Sequence, residues 1–453
     1  MNRSQQLGEE KIGKLLLKFS IPAMIGMLVN GLYNIVDRIF VGRGVGSLAL
    51  SGIAISFPIT LAIMAFGMLI GLGATSVISI RLGQQKRQEA ERIVGNAFIL
   101  LLGISLTITL LGYLFMDPLL VGLGASPEVL PYAKQYISVL LAGAVFQSIG
   151  FGMNNFIRAE GNPKIAMVTM ILGAVLNTIL NPIFIFGLHL GVAGSALATV
   201  ISQFVTSVWV LYYFLGDRAL LKLRLKNLKL EWIFVKDILA IGISPFSMQL
   251  VGSFVTVFLN KSLASYGGDL PIAAMGIITS IAMLIFMPIF GIGQGAQPIL
   301  GYNYGARNYD RVKQTLKLSM IASTVVMTVG FLMVELFPVV IMTLFSTDPE
   351  LIRVGANGMR LYLMMLPVIA LQVTVVGYFQ ATGKPRKSLV LSLSRQLLFL
   401  VPMIWLLPRF LGLTGVWLAA PVSDLASALL TVVWLYNDLK HLGHSEGQVE
   451  ADV

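Results

Sequence analysis

Cysteine is absent from the chain, so it has no thiol nucleophile, no disulfide and no thiolate for a metal. Histidine is nearly as scarce. His189, His441 and His444 are the full set, and the last two lie in a polar tail, so an intramembrane histidine relay has no members. What remains for chemistry is a small group of polar side chains set in apolar sequence. Asp37, Glu335 and Asp424 are the main acidic residues inside long apolar blocks. Asn177 and Asn181 are four apart and share one helix face. Pro182 follows them and should kink or open that helix, and Thr199 lies in the next block. A carboxylate, two amide oxygens and a hydroxyl together suit a hard cation, which prefers oxygen ligands. The plainer reading of Asn and Thr is interhelical hydrogen bonding. Asp37 also has two readings. It lies about 22 Å of helix beyond Pro22, where it is either a site residue or an interfacial one paired with Arg38. Burying Arg395 or Asp424 alone is costly and burying both is less so, which makes them a structural ion pair. Glu335 is close to Pro338 and reads as interfacial.

The elements that position these residues are long apolar blocks. Of the 453 residues, 56% are hydrophobic and 12% are charged, against roughly 25% charged in soluble domains. Mean hydropathy is +0.84. Twelve blocks reach the length of about 20 apolar residues that a bilayer demands: 15–41, 51–80, 93–116, 135–156, 165–187, 191–215, 237–264, 272–300, 316–344, 357–381, 388–408 and 413–436. They are apolar throughout, without the alternation of a membrane strand, and an open sheet would leave backbone groups unpaired in lipid. The first block is followed by no small-residue cleavage pattern and is expected to remain as a helix. The fold class is therefore all-α integral membrane.

A net charge of +11 could suggest nucleic acid, but position argues against it. With the N-terminal tail, every second loop and the C-terminal tail on one side, that side holds 24 of the 32 Lys and Arg. The exceptions are Arg38, Arg43, Lys134, Lys261, Arg353, Arg360, Arg395 and Arg409. Both termini are then expected in the cytoplasm.

The chain repeats itself. Ile21-Pro22 matches Ser244-Pro245 at an offset of 223. Ala159-Glu160-Gly161-Asn162-Pro163-Lys164 matches Ala381-Thr382-Gly383-Lys384-Pro385-Arg386 at 222, and Gly191, Gly194 and Ser202 match Gly412, Gly415 and Ser423 at 221. Each half holds six helices, an even number, so the repeats run parallel about an axis along the membrane normal, a recurrent transporter plan. The expected division is an N-lobe (1–215, helices 1–6), a cytoplasmic linker (216–236), a C-lobe (237–440, helices 7–12) and a polar tail (441–453). Residues 8–14 spell GEEKIGK, but Leu15 stands where a phosphate loop needs Ser or Thr and no strand precedes it. Direct nucleotide drive is not supported.

Four segments carry a family resemblance. They are Tyr33-Asn34-Ile35-Val36-Asp37-Arg38-Ile39-Phe40-Val41-Gly42, Asn155-Phe156-Ile157-Arg158-Ala159-Glu160-Gly161-Asn162-Pro163-Lys164, Leu176-Asn177-Thr178-Ile179-Leu180-Asn181-Pro182-Ile183-Phe184-Ile185-Phe186 and Gly191-Val192-Ala193-Gly194-Ser195-Ala196-Leu197-Ala198-Thr199. The chain resembles the multidrug and toxic compound extrusion (MATE) family, in a bacterial MepA-like branch, over nearly its whole length. The resemblance implies two pseudo-symmetric six-helix lobes forming a V around a central cavity. It implies exchange of an organic, often cationic, compound for protons or sodium. It assigns cation coupling to Asp37, joined by Asn177, Asn181 and Thr199, with sodium as an alternative occupant of those four residues. Many relatives have Asp where this chain has Asn181, so one carboxylate stands where two are usual. Other branches place acids in helices 7 and 10, where this chain has Asn260 and Gln372, so no coupling site is expected in the C-lobe.

The expected function is thus secondary active efflux from a bacterial inner membrane, by a monomer, with no cofactor beyond the coupling ion H+ or Na+. The partners are a small organic substrate and the bilayer, not nucleic acid. Pro22 is the expected hinge of helix 1. The 21 Met and 25 Phe suit a cavity that repacks around varied apolar molecules. A lipid-linked precursor flippase would want a more cationic cavity than loop-borne basic residues supply. A membrane-embedded enzyme lacks a nucleophile motif.

Overall fold

The computed structural model describes residues 4–443. The expected polar tail beyond Gly443, with His444, and the first three residues lie outside it. Twelve helical spans follow in chain order: α1 (Ile12–Gly44), α2 (Ser47–Gly83), α3 (Arg87–Leu114), α4 (Leu130–Ala159), α5 (Pro163–Gly187), α6 (Gly191–Leu215), α7 (Trp232–Gly267), α8 (Asp269–Gly305), α9 (Tyr309–Leu336), α10 (Pro349–Leu363 with Leu366–Ala381), α11 (Pro385–Leu411) and α12 (Leu413–His441). Eleven are long and apolar enough to cross a membrane as single helices, and α10 makes the twelfth as a pair bent by 47°. Among the described residues there is no strand.

The expected spans hold, with longer ends and two local changes of winding. The helices outrun their apolar blocks, because backbone hydrogen bonding continues past the bilayer edge: α7 and α8 run to 36 and 37 residues. Pro182 opens α5 locally, as expected, without ending it. The helix continues as a π-helical segment, Ile183–Gly187, whose wider winding absorbs the missing proline N–H. α11 carries a similar segment, Ser394–Leu400, just ahead of Pro402. Short helices Met116–Gly122 and Pro338–Thr343 follow α3 and α9 and begin 222 residues apart, so the repeat extends to the loops.

Packing is not sequential. α1 lies along α8 and α5, while α2 lies along α7 and α4. The two cross-half contacts, α1 with α8 and α2 with α7, are copies of each other, and α2 and α8 also meet each other directly, through glycine. A Cβ on Gly83 would run into the carbonyl of Tyr302, and a Cβ on Gly305 into the carbonyl of Ile80. Each residue is 222 positions from its counterpart, so the contact is self-complementary, as in a two-fold dimer. Likewise Gly242 of α7 meets the Leu69 backbone of α2, and Gly291 of α8 meets Met24 of α1.

These contacts sit in one core at the basic-loop end, built from both halves: Phe19, Ile70, Ile78, Ile238, Ile299 and Tyr378 all belong to it. At the opposite end the halves separate. One core there holds Val41, Ile63, Ile137 and Val192, and another holds Leu259, Ile278, Met359 and Trp417. A shared core at one end and two at the other describe a V with its vertex at the basic loops. Exposed apolar stripes, such as Ile321, Val325, Val329, Leu332 and Leu336 of α9, face outward where lipid would lie.

The N-terminal tail spans the vertex. Leu7 is fully buried, its carbonyl accepts from Asn303 Nδ2 and Arg311, and Arg311 also reaches the carbonyl of Glu10. The segment between α6 and α7 is pinned to the N-terminal half. Glu160 accepts the backbone N–H groups of Leu220 and Leu221, and Glu231 pairs with Arg92.

Candidate functional site

α1, α5 and α6 bring the four sequence-derived residues together. α1 turns Asp37 inward to 9% exposure, while the adjacent Arg38 turns outward, with its guanidinium 5.6 Å from the Phe57 ring centre. Among the described residues the two form no ion pair, so the interfacial reading of Asp37 is not the one the geometry favours. α5 begins with Pro163 at its first turn, where the lost N–H costs nothing. It carries Asn177 and Asn181 on one buried face. The π-helical turn then packs against α6, where Gly194 lets the backbone of Phe184 approach to 3.0 Å from the position of a Cβ. That approach sets the register that brings the next residue, Ser195, to Asp37.

A single chain of hydrogen bonds results. Asp37 Oδ1 accepts from Ser195 Oγ at 2.7 Å and from Asn181 Nδ2 at 2.7 Å. Asn181 Nδ2 also donates to Asn177 Oδ1 at 3.0 Å, and Asn177 Nδ2 donates to Thr199 Oγ1 at 3.0 Å. Asn177, Asn181 and Ser195 are buried. Both amide protons of Asn181 are committed, yet its Oδ1 is buried without a partner. An unsatisfied buried oxygen beside a carboxylate is unusual in a native interior and costly. It is also a ready ligand for a proton donor or a hard cation.

Ser195 was not singled out from the sequence. Its spacing of four from Thr199 puts both on one face of α6, and that signal was available. Tyr136 of α4 is buried in the core that also holds Val41, Ile137 and Val192.

The remaining residues stand elsewhere. Pro22 lies inside α1 without ending it. Arg395 Nε meets Asp424 Oδ1 at 2.6 Å in the C-terminal half, and Asp424 is 2% exposed. Glu335 is 42% exposed and 3.7 Å from Arg360, at the surface. Asn260 lies at position 37 plus the repeat offset and is half-buried, and Gln372 is buried with its Nε2 on the Leu391 carbonyl. Among the described residues no three His, Cys, Asp or Glu cluster in a way that could hold a metal, in keeping with a single carboxylate.

A duplicated bundle of twelve apolar spans, with a buried carboxylate network in one half, is the build of a multi-pass membrane transporter. The MatE family model matches the chain twice, at residues 22–183 and 245–406. The chain belongs to that family. It is 30% identical over 429 residues to the multidrug export protein MepA of Staphylococcus haemolyticus, covering 95% of this chain and 94% of that one. Among solved structures it resembles the outward-facing conformation of a multidrug resistance MATE family transporter of the MOP superfamily, with a TM-score of 0.92, 29% identity and coverage of 97% and 98%. A MATE crystal structure in the bent conformation also matches at a TM-score of 0.92, with 29% identity and coverage of 98% and 99%.

Proposed function

We propose that this protein exports organic, cationic compounds across a bacterial inner membrane in exchange for protons or sodium, with Asp37 as the coupling carboxylate. The observation that carries the reading is the chain Thr199–Asn177–Asn181–Asp37–Ser195, held within one half and containing an unsatisfied Asn181 oxygen. With Asp37 ionised, Asn181 must point its amide protons at it. When a proton or sodium ion neutralises the carboxylate, the amide is free to turn and offer Oδ1 instead. Loading the ion thus rewrites the contacts between α1 and α5. An ion shifts the balance of two states only through its differential affinity for them, and this rearrangement supplies one.

The basic-loop asymmetry supports a reading with both termini in the cytoplasm and the V opening outward. Pro22 leaves the Lys18 carbonyl without its helical donor, which makes α1 a helix able to bend between Asp37 and the vertex. The solved relative described as bent supports treating bending as part of the cycle. The protein is proposed to act as a monomer, with residues 1–215 and 237–440 as its two lobes.

The test is gradient-driven efflux of a fluorescent organic cation from proteoliposomes, with pH and sodium gradients imposed separately. Asp37→Asn should abolish ion-driven efflux yet insert normally. Asn181→Asp should alter the ion dependence without abolishing transport. If Asp37→Asn still concentrates the dye with native ion dependence, the coupling site lies elsewhere.

A further inference from the structure

The C-terminal half contains a charge pair that the N-terminal half lacks. Arg395 stands on the π-helical stretch of α11 and Asp424 on α12, joined at 2.6 Å. The repeat offsets of 222 and 221 place them opposite Gly173 of α5 and Gln203 of α6. Those positions face each other as well, since a Cβ on Gly173 would stand 3.0 Å from Thr206, one turn from Gln203. Asn177 and Thr199 lie one further turn along each helix, and their own counterparts, Phe399 and Ala420, are apolar. The pair therefore sits where the N-terminal network would fall by symmetry, displaced by one turn, about 5.4 Å, toward the basic-loop end.

The surroundings have the chemistry of a cation site. Ser427 lies three residues past Asp424 on the same face of α12, is fully buried, and its Oγ has no hydrogen-bond partner. Among the described residues, no charged group of α7 pairs with either. A carboxylate this deeply buried must hold a proton or a cation when it has no counter-charge.

We propose that Asp424 and Ser427 form a second cation site that the protein fills permanently with its own Arg395 guanidinium. Arg395 is a tethered counter-ion, and it restricts the chain to one exchangeable ion, that of the N-terminal half. Guanidinium suits the role because it does not deprotonate, so this site cannot empty during the cycle. The single-ion part of the inference rests on the Asp37 reading above.

The experiment counts 22Na+ bound per purified full-length chain, and protons displaced, relative to an Asp37→Asn/Asp424→Asn background. The native protein should bind one ion. Asp424→Asn should still bind one, Arg395→Gln two, and Arg395→Gln/Asp424→Asn one. An Arg395→Gln count equal to that of its double variant overturns the proposal, as does loss of the native ion in Asp424→Asn. Should Arg395→Gln not fold, that second comparison decides by itself, with the neutral double variant as the folding control. Asp37→Asn retaining its ion would overturn the N-terminal site alone, leaving the Arg395 comparison to stand on its own result.

Discussion

Replacing Ser195 by alanine removes one oxygen from α6 and almost no volume. The hydroxyl is fully buried and donates to Asp37 over 2.7 Å. A hydrogen bond to a charged partner contributes about 1.5–3 kcal/mol, and one between neutral groups about 0.5–1.5. If the coupling ion is a proton, loading neutralises Asp37 and the bond weakens. Ser195 then favours the ion-free form by the difference, about 1–1.5 kcal/mol. Ser195→Ala erases that preference, so half-maximal drive should need about five- to tenfold fewer protons, at 1.4 kcal/mol per factor of ten. If the ion is sodium, Asp37 stays ionised throughout and Ser195 is an oxygen ligand. Its removal then raises the sodium needed for half-maximal drive. The direction of the shift therefore identifies the ion. The assay is dye efflux from proteoliposomes across a series of luminal pH values and a series of sodium concentrations. Values within twofold of native for both ions, in a protein that folds normally, would refute the claim that this bond contributes to coupling.

Pro22→Ala restores the hydrogen bond to Lys18, in a setting where interior proline costs about 3 kcal/mol; transport should slow in a folded protein, and unchanged turnover would remove the hinge from the cycle. Gly83→Ala forces a Cβ into the Tyr302 carbonyl and should loosen the vertex. A cysteine at the fully buried Ser79 should then label several-fold faster from the basic-loop side, and equal rates would show that the vertex tolerates the methyl group. A cysteine at exposed Lys226 should label from the cytoplasm alone. The opposite-side probe belongs at exposed Asp269 and not at neighbouring Gly268, whose φ of +71° disfavours a side chain. Labelling of both from one side would break the twelve-span topology.

The spans were legible because lipid imposes one rule on every residue of a block, and that rule survives averaging over twenty positions. The candidate site was legible in part. Asn177 and Asn181 announce a shared face by spacing, as Ser195 and Thr199 do, whereas the meeting of Ser195 with Asp37 needed the register between α5 and α6. That register depends on the π-helical turn after Pro182 and on the absence of a side chain at Gly194, neither of which leaves a periodic signal. The fate of Asp37 was open for a similar reason. Hydropathy gives its depth but not its azimuth, and one step of rotation distinguishes it from Arg38, which faces Phe57. The bend in α10 falls between Leu363 and Leu366, just ahead of Pro367, where the helix former preference of the neighbouring residues masks the break.

Because α1 lies along α8, the first of the twelve described spans waits in synthesis for the eighth. Translation at about 5–20 residues per second takes roughly ten seconds to a minute to cover the 267 positions from Met24 to Gly291. Throughout that interval the face of α1 around Ser20 and Met24 has no mate, and neither has the face of α2 that awaits α7. The N-terminal half is thus not a self-sufficient product of biogenesis. It leaves the insertion machinery as an open template whose closing surface is still being translated. Covalent fusion of the two repeats delivers that surface once, in the right copy number, next to the helix that needs it. A gene split between α6 and α7 would turn the same step into a search through the bilayer.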